Sequence, residues 1–254
     1  MKIVVCVKQT PDSAASLTVA GGKVSWGDAP LIINPWDEYA VEAALQQKEV
    51  HGGTVTAISV GSEEAGIALK HALAMGADDA LRIPDPGPAS DTGSVARLLA
   101  AAIRKLGGVD LVCFGRQAID GDSGLVPTQV ARLLGWPALT LVSSVKIEDG
   151  VINVECAFEE GRQSLRANLP AVLSLAKDFG EPRFPSFLNK RKADRAVLPL
   201  WTLEDLGVAA SVPVITWGPA SLAPVRESAC EFLTGSPQEM AQALVEKLLA
   251  EKVL

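Results

Sequence analysis

The chain has 254 residues, with 30 acidic against 23 basic side chains, a formal charge of −7 and 48% hydrophobic residues. That apolar share excludes a disordered chain and gives one large domain or two small ones an ample core. An acidic balance argues against a nucleic-acid binder, since phosphate neutralisation needs a basic face, and no apolar stretch approaches the ~18 residues of a membrane span.

Ile3–Val7 is a continuous apolar, β-branched run, the pattern of a strand covered on both faces. Val55–Val60, Ala80–Ile83 and Leu111–Gly115 repeat it. Between them lie helical patterns at Asp37–Glu49, Glu63–Met75, Val95–Leu106 and Val126–Leu134. The clearest places Val95, Leu98, Leu99, Ala102, Ile103 and Leu106 on one face, and glycines follow the helices at Gly52, Gly76, Gly107 and Gly135. Alternating strands and helices predict an α/β fold, a Rossmann-like, doubly wound, mostly parallel sheet. From Pro137 the rhythm becomes antiparallel: Leu139–Ile147, a turn at Asp149-Gly150, Val151–Phe158, a turn at Glu160-Gly161, Ser164–Leu169, then a last apolar strand, Ala171–Leu175. Residues 181–195 read as an irregular, Pro- and basic-rich surface stretch. The tail adds a short strand at Val214–Trp217 and a helix using Ala241, Leu244, Val245, Leu248 and Leu249. This pattern divides the chain into a domain over residues 1–195 and a carboxy-terminal arm over 196–254.

Cys6, Cys113, Cys156 and Cys230 lie far apart, with no C-x-x-C and no histidine at ligand spacing. They read as four buried, reduced thiols of a cytoplasmic protein, and no metal site is expected. His51 and His71 read as surface or capping residues, while Met75, Trp26, Trp136, Trp201 and Trp217 read as packing residues. No Ser/His/Asp or Cys/His constellation can be assembled, so no catalytic residue is assigned.

Ligands of a doubly wound sheet bind at the carboxyl ends of strands, near the switch in strand order. Three segments converge there: Cys6–Gln9, Val60–Ser62 and the loop Gly115–Gly124, which runs into a helix start near Leu125. Its glycines and short polar residues present backbone N–H groups suited to a phosphate. The same segment also reads as a plain turn with an Asp or Ser N-cap. It is neither G-x-G-x-x-G nor a Walker A loop. Asp120 and Asp122 would repel a phosphate unless they point away from it.

Taken together, Val-Lys-Gln-Thr-Pro-Asp (7–12), Ile-Asn-Pro-Trp-Asp-Glu-Tyr-Ala-Val-Glu-Ala-Ala (33–44), Ala-Leu-Ala-Met-Gly-Ala-Asp (72–78), Gly-Arg-Gln-Ala-Ile-Asp-Gly-Asp (115–122), Leu-Gly-Trp-Pro (134–137), Leu-Pro-Ala-Val (169–172) and Glu-Pro-Arg-Phe (181–184) resemble the β subunit of electron transfer flavoprotein. The resemblance keeps its order from residue 2 to about 195 and weakens in the tail. It implies a fold of the adenine-nucleotide α-hydrolase-like type and a heterodimer with an α subunit that carries the redox-active FAD. AMP is implied in the β subunit. Carried over by position, AMP-contacting residues fall on Cys6, on Asn34, Pro35, Trp36 and Asp37, on Val60, and on Gly115, Arg116, Gln117, Ala118, Ile119, Asp120, Gly121, Asp122, Ser123, Gly124, Leu125 and Val126.

The resemblance further implies a recognition loop over 181–195, with Arg183, Phe184, Phe187, Leu188, Lys190, Arg191 and Lys192 engaging partner dehydrogenases such as acyl-CoA dehydrogenases. Electrons would pass on to a quinone-linked oxidoreductase, as in fatty acid β-oxidation, and the arm would pack on the α subunit. Four departures stand out. Gly124-Leu125-Val126 replaces a polar Asn-Gln-Thr, and the preceding Asp120-Gly121-Asp122-Ser123 is closer to electron-bifurcating relatives that hold a second FAD; Phe187 replaces the usual Leu anchor; and Cys156 and Ser174 read as surface and strand-end substitutions. The alternatives are therefore a bifurcating subunit or, on the same fold, an adenine-nucleotide sensor or adenylating enzyme. For the last of these, neither an outer-phosphate loop nor catalytic Lys or His groups are found.

Overall fold

The computed structural model describes residues 1–87, 90–159, 161–209, 213–215, 218–224 and 230–253. The chain divides into two compact units, Met1–Pro219 and Ala220–Leu254. In chain order the elements are β1 (Lys2–Cys6), β2 (Gln9–Pro11), β3 (Thr18–Ala20), β4 (Lys23–Ser25), β5 (Leu31–Ile33), α1 (Pro35–His51), β6 (Thr54–Val60), α2 (Gly66–Met75), β7 (Asp79–Ile83), α3 (Thr92–Leu106), β8 (Leu111–Gly115) and α4 (Val126–Leu134). There follow β9 (Ala138–Glu148), β10 (Val151–Phe158), β11 (Gly161–Asn168), β12 (Ala171–Leu175), α5 (Phe187–Asp194), α6 (Leu203–Leu206) and, in the second unit, α7 (Pro237–Ala250).

Eight strands form one sheet in the order β11-β10-β9-β12-β8-β1-β6-β7, parallel from β9 through β12 to β7 and antiparallel across β9, β10 and β11. This is the α/β, Rossmann-like architecture expected. β1 sits centrally, with Cys6 aligned to Ile58 on one side and Phe114 on the other. Because successive strand side chains point to opposite faces, Ile3 and Val5 join α1 and α2 in one core cluster, while Val4 and Cys6 join α3 and α4 in another. That is why β1 carries no polar alternation. The α3 stripe buries Leu98, Leu99, Ala102 and Ile103, and Asp91 caps the helix by accepting from the Ser94 N–H at 2.7 Å. The β7 edge is covered by the chain at 199–201: the Arg82 N–H donates to Pro199 O at 2.9 Å and the Trp201 N–H to Arg82 O at 3.0 Å.

Several expectations are corrected. The segment 181–195 is not irregular throughout: α5 occupies Phe187–Asp194, with the Ser186 side chain accepting from the Asn189 N–H. It hides from pattern reading because only Ala193 is buried. Val214 and Ile215 are not in a strand, and Thr216 and Trp217, like Glu160 of the expected turn, lie outside the described residues. The ribbons pairing β2 with β5 and β3 with β4 are not legible in the sequence, being three residues a strand. Cys6, Cys113 and Cys156 are buried and free, whereas Cys230 is exposed. Cys156 is a core residue of β10, not a surface one, and Ser174 lies buried within β12.

Arg183 also departs from its expected place among exposed cations. Its Nε lies 2.7 Å from Glu42 Oε2, its Nη1 2.5 Å from Glu49 Oε1, and its backbone N–H donates to Glu42 Oε2 at 3.1 Å. Glu42 is buried; burial raises its carboxyl, but the Arg183 and Gln46 hydrogen bonds outweigh this and hold the pKa below its ordinary 4.5. Arg183 thus fastens the 181–195 segment to α1. Arg183→Ala strands a buried carboxylate and is expected to cost about 2–3 kcal/mol in urea denaturation, the buried-pair figure reduced for the partial exposure of the guanidinium. An unchanged midpoint would contradict that anchoring role.

Candidate functional site

At the carboxyl ends of β1, β6 and β8 lies a cavity of ≈ 370 Å³. Of the residues expected to contact a nucleotide, Cys6, Asn34, Asp37, Val60, Gly115, Arg116, Gln117, Ala118, Gly121, Ser123, Gly124, Leu125 and Val126 line it. Pro35, Trp36, Ile119, Asp120 and Asp122 stand off the wall. Sequence reasoning leaves out one wall: Asp85, Pro86, Ser90, Asp91, Thr92, Val95 and Leu99, from the exit of β7 and the head of α3. The strand-end rule that marks β1, β6 and β8 applies equally to β7, and would have found it.

The floor is set by the meeting of α1 and β8. A Cβ built on Gly115 would lie 2.4 Å from Asp37 Oδ1 and 2.6 Å from the Trp36 carbonyl carbon, so only glycine fits. Asp37 is buried, yet accepts from the Lys8 N–H at 2.7 Å and from Asn34 Nδ2 at 2.9 Å. Burial pushes its carboxyl up from 3.8 to about 7, against hydrogen bonds from Asn34, Lys8 and Gly115 and the Lys8 charge. Asn34, 1% exposed, stands at the head of α1 without capping it. Its amide spans to the loop instead: Nδ2 donates to Gln117 O at 2.9 Å, and Oδ1 accepts from the Ile119 N–H at 3.2 Å.

The loop's acidic residues are turned to use elsewhere. Asp120 pairs with Lys8 Nζ at 2.7 Å, and Asp122, at φ 50°, accepts from Gln117 Nε2. Arg116 lies 5.6 Å from the centroid of the Trp36 ring, which holds its cation at the cavity wall. Gly124 sits at φ +61°, where a larger residue is strained, while Gly121 has an ordinary φ and open space where a Cβ would stand.

Three helices put their amino ends at this cavity, and they differ in charge. α1 carries Asp37 and Glu38 in its first turn, and α3 is capped by Asp91. α4 has no side-chain cap and no acidic residue in its first turn. The N–H groups of residues 124–126, leading into α4 before Pro127, have no partner among the described residues, and they and the positive dipole end are left for an anion. Ile58, Val60, Val95, Leu99 and Phe114 supply an apolar surface beside it. An uncapped helix head, an αL glycine and an apolar slot together fit a phosphorylated heterocycle.

Among the described residues no group of three or more His, Cys, Asp and Glu could hold a metal ion, and no helix is long and apolar enough to cross a membrane. His71, on α2, has Nε2 2.8 Å from Glu38 Oε1. Trp136 and Trp201 pack against the core, Lys105 lying 4.7 Å above the Trp201 ring.

The model of the electron transfer flavoprotein domain matches residues 26–206. The chain is 35% identical to the electron transfer flavoprotein subunit β of Bacillus subtilis, over 99% of this chain and 98% of that one. It is 37% identical to the subunit β of Thermoanaerobacterium thermosaccharolyticum and 35% identical to subunit CarD of the caffeyl-CoA reductase–Etf complex of Acetobacterium woodii, each over the full length of both chains.

Between pH 3.8 and about 7 the folded chain keeps an Asp37 proton that an unfolded chain has released. The Asp37 contribution to stability is therefore full below that window and is lost as pH rises through it. Urea denaturation of the wild type and Asp37→Asn across this range is expected to show a decline in the wild type that the variant lacks. Parallel pH profiles would contradict the assignment.

Proposed function

We propose, for a chain that belongs to the electron transfer flavoprotein family as a β subunit, that its cavity binds AMP and that it serves as an electron-carrier subunit without substrate chemistry of its own. The observation that carries the proposal is the uncapped head of α4 beside an apolar slot, where the other helix heads carry acidic residues, Asp37 and Glu38 on α1 and the Asp91 cap on α3. The phosphate would lie at the N–H groups of residues 124–126, with Arg116 as the nearby cation, and the base against the slot of Val60, Val95, Leu99 and Phe114. FAD bound by an α subunit would supply the redox chemistry, while this chain positions it.

The arm carries α7, whose Leu244, Val245 and Leu249 are about half exposed and none of whose residues is buried, which supports packing against an α subunit. On the segment 181–195, Phe184, Phe187 and Leu188 are 95%, 75% and 77% exposed beside Lys190, Arg191 and Lys192. Exposed apolar tips ringed by steering cations suit the docking of acidic dehydrogenases such as acyl-CoA dehydrogenases. The acceptor would be a quinone-linked oxidoreductase, and the setting the cytoplasm.

A second reading places FAD in the same cavity, as in a bifurcating complex. The cavity wall extends past that base slot to Pro86, Ser90 and Thr92, which the AMP placement leaves unused, and this favours it.

Nucleotide extraction from the complex purified with its α subunit tests the proposal. Equal amounts of AMP and FAD are expected, and Gly124→Val is expected to lose the AMP and keep the FAD. Two FAD per heterodimer and no AMP would select the bifurcating reading. An absence of any adenine nucleotide in this chain would overturn both.

A further inference from the structure

The carboxylates that face the cavity differ in how much accepting capacity is already used. An ionised carboxylate offers about four lone-pair positions. Asp91 fills them all: Oδ1 accepts from the Ser94 N–H at 2.7 Å and the Ser94 hydroxyl at 2.6 Å, and Oδ2 from the Val214 N–H at 2.8 Å and the Ile215 N–H at 3.4 Å. Asp37 is buried beneath the Lys8 and Gly115 N–H groups and the Asn34 amide. Asp91 has no position left, and Asp37 has three in use and is buried. Asp85 can take a further donor. It is exposed at the cavity, and its Oδ1 accepts from the Gly87 N–H at 2.9 Å, while its Oδ2 has no partner among the described residues. The Gly87 bond closes an Asx turn, which fixes the carboxylate before any ligand arrives.

We propose that Asp85 is a specificity-determining residue of the cavity: its free Oδ2 accepts hydrogen bonds from the ribose hydroxyls of the bound adenine nucleotide. The proposal rests on the nucleotide reading and deepens it from a phosphate-and-base site to a ribonucleotide site. The chemistry is that of a charge-assisted O–H···O⁻ bond from a vicinal diol, which a deoxyribose cannot supply. Asp85 lies two residues beyond the end of β7, on the side of the sheet where the parallel strands end and where doubly wound sheets bind their ligands. It does not belong to the loop 115–126, so its charge is separate from the seat assigned to the phosphate. The adenosine diol is common to AMP and to the AMP half of FAD, so the inference holds for either occupant.

Calorimetric titration of the nucleotide-depleted heterodimer with AMP and with 2′,3′-dideoxy-AMP provides the test. The wild type is expected to bind AMP about tenfold to a hundredfold more tightly than the dideoxy analogue. Asp85→Ala is expected to bind both with the affinity the wild type shows for the analogue. Wild-type affinities that do not differ, or a variant that still discriminates, would overturn the role of Asp85 and leave the nucleotide site standing. A variant that loses affinity for the analogue as well would make Asp85 a structural residue and overturn it too. Failure of the wild type to bind AMP at all would overturn the AMP reading together with this inference.

Discussion

The close approach of α1 to the end of β8 is the constraint on which the rest of the site depends. With no room for a Cβ at residue 115, the first turn of α1 rests directly on the strand end and closes the sheet at its switch point. Asp37 is thereby brought under the Lys8 and Gly115 N–H groups. Asn34 is left with an amide that cannot cap its own helix and reaches the loop at Gln117 and Ile119 instead. The loop is held in place by the floor beneath it, and the head of α4 follows from where the loop ends.

The distribution of charge around this floor explains how an acidic chain keeps a seat for an anion. Asp37 and Glu38 stand at the head of α1, Asp91 caps α3, Asp120 is paired with Lys8, and Asp122 is engaged by Gln117. Each of these aspartates is bound to a donor of the protein itself. The head of α4 and the Arg116 cation remain, both at the cavity wall. Asp85, with one oxygen unpartnered among the described residues, is the counterpart for hydroxyl donors.

Much of this is legible in the sequence because it rests on periodicity. The run Ile3–Val7 and the stripe from Val95 to Leu106 report burial directly, and the structure places both in the core. The loop 115–126 is marked by its glycines and its place after a strand. α5 escapes because its exposed, basic surface carries no stripe, and the role of Arg183 escapes because its partners, Glu42 and Glu49, lie far away in sequence. The wall that includes Asp85, Asp91 and Val95 is hidden for a related reason. Asp91 reads locally as a helix cap, and its second set of bonds, to Val214 and Ile215, crosses more than a hundred residues.

The central claim is that an adenine nucleotide binds through backbone N–H groups at the head of α4. The most direct measurement is amide NMR of the deuterated, ¹⁵N-labelled chain in its heterodimer, followed during titration with AMP. The account predicts that the largest shifts fall on Gly124, Leu125 and Val126, with small changes at the capped head of α3. Dominant shifts at Ser94 and Val95, with residues 124–126 unmoved, would contradict it.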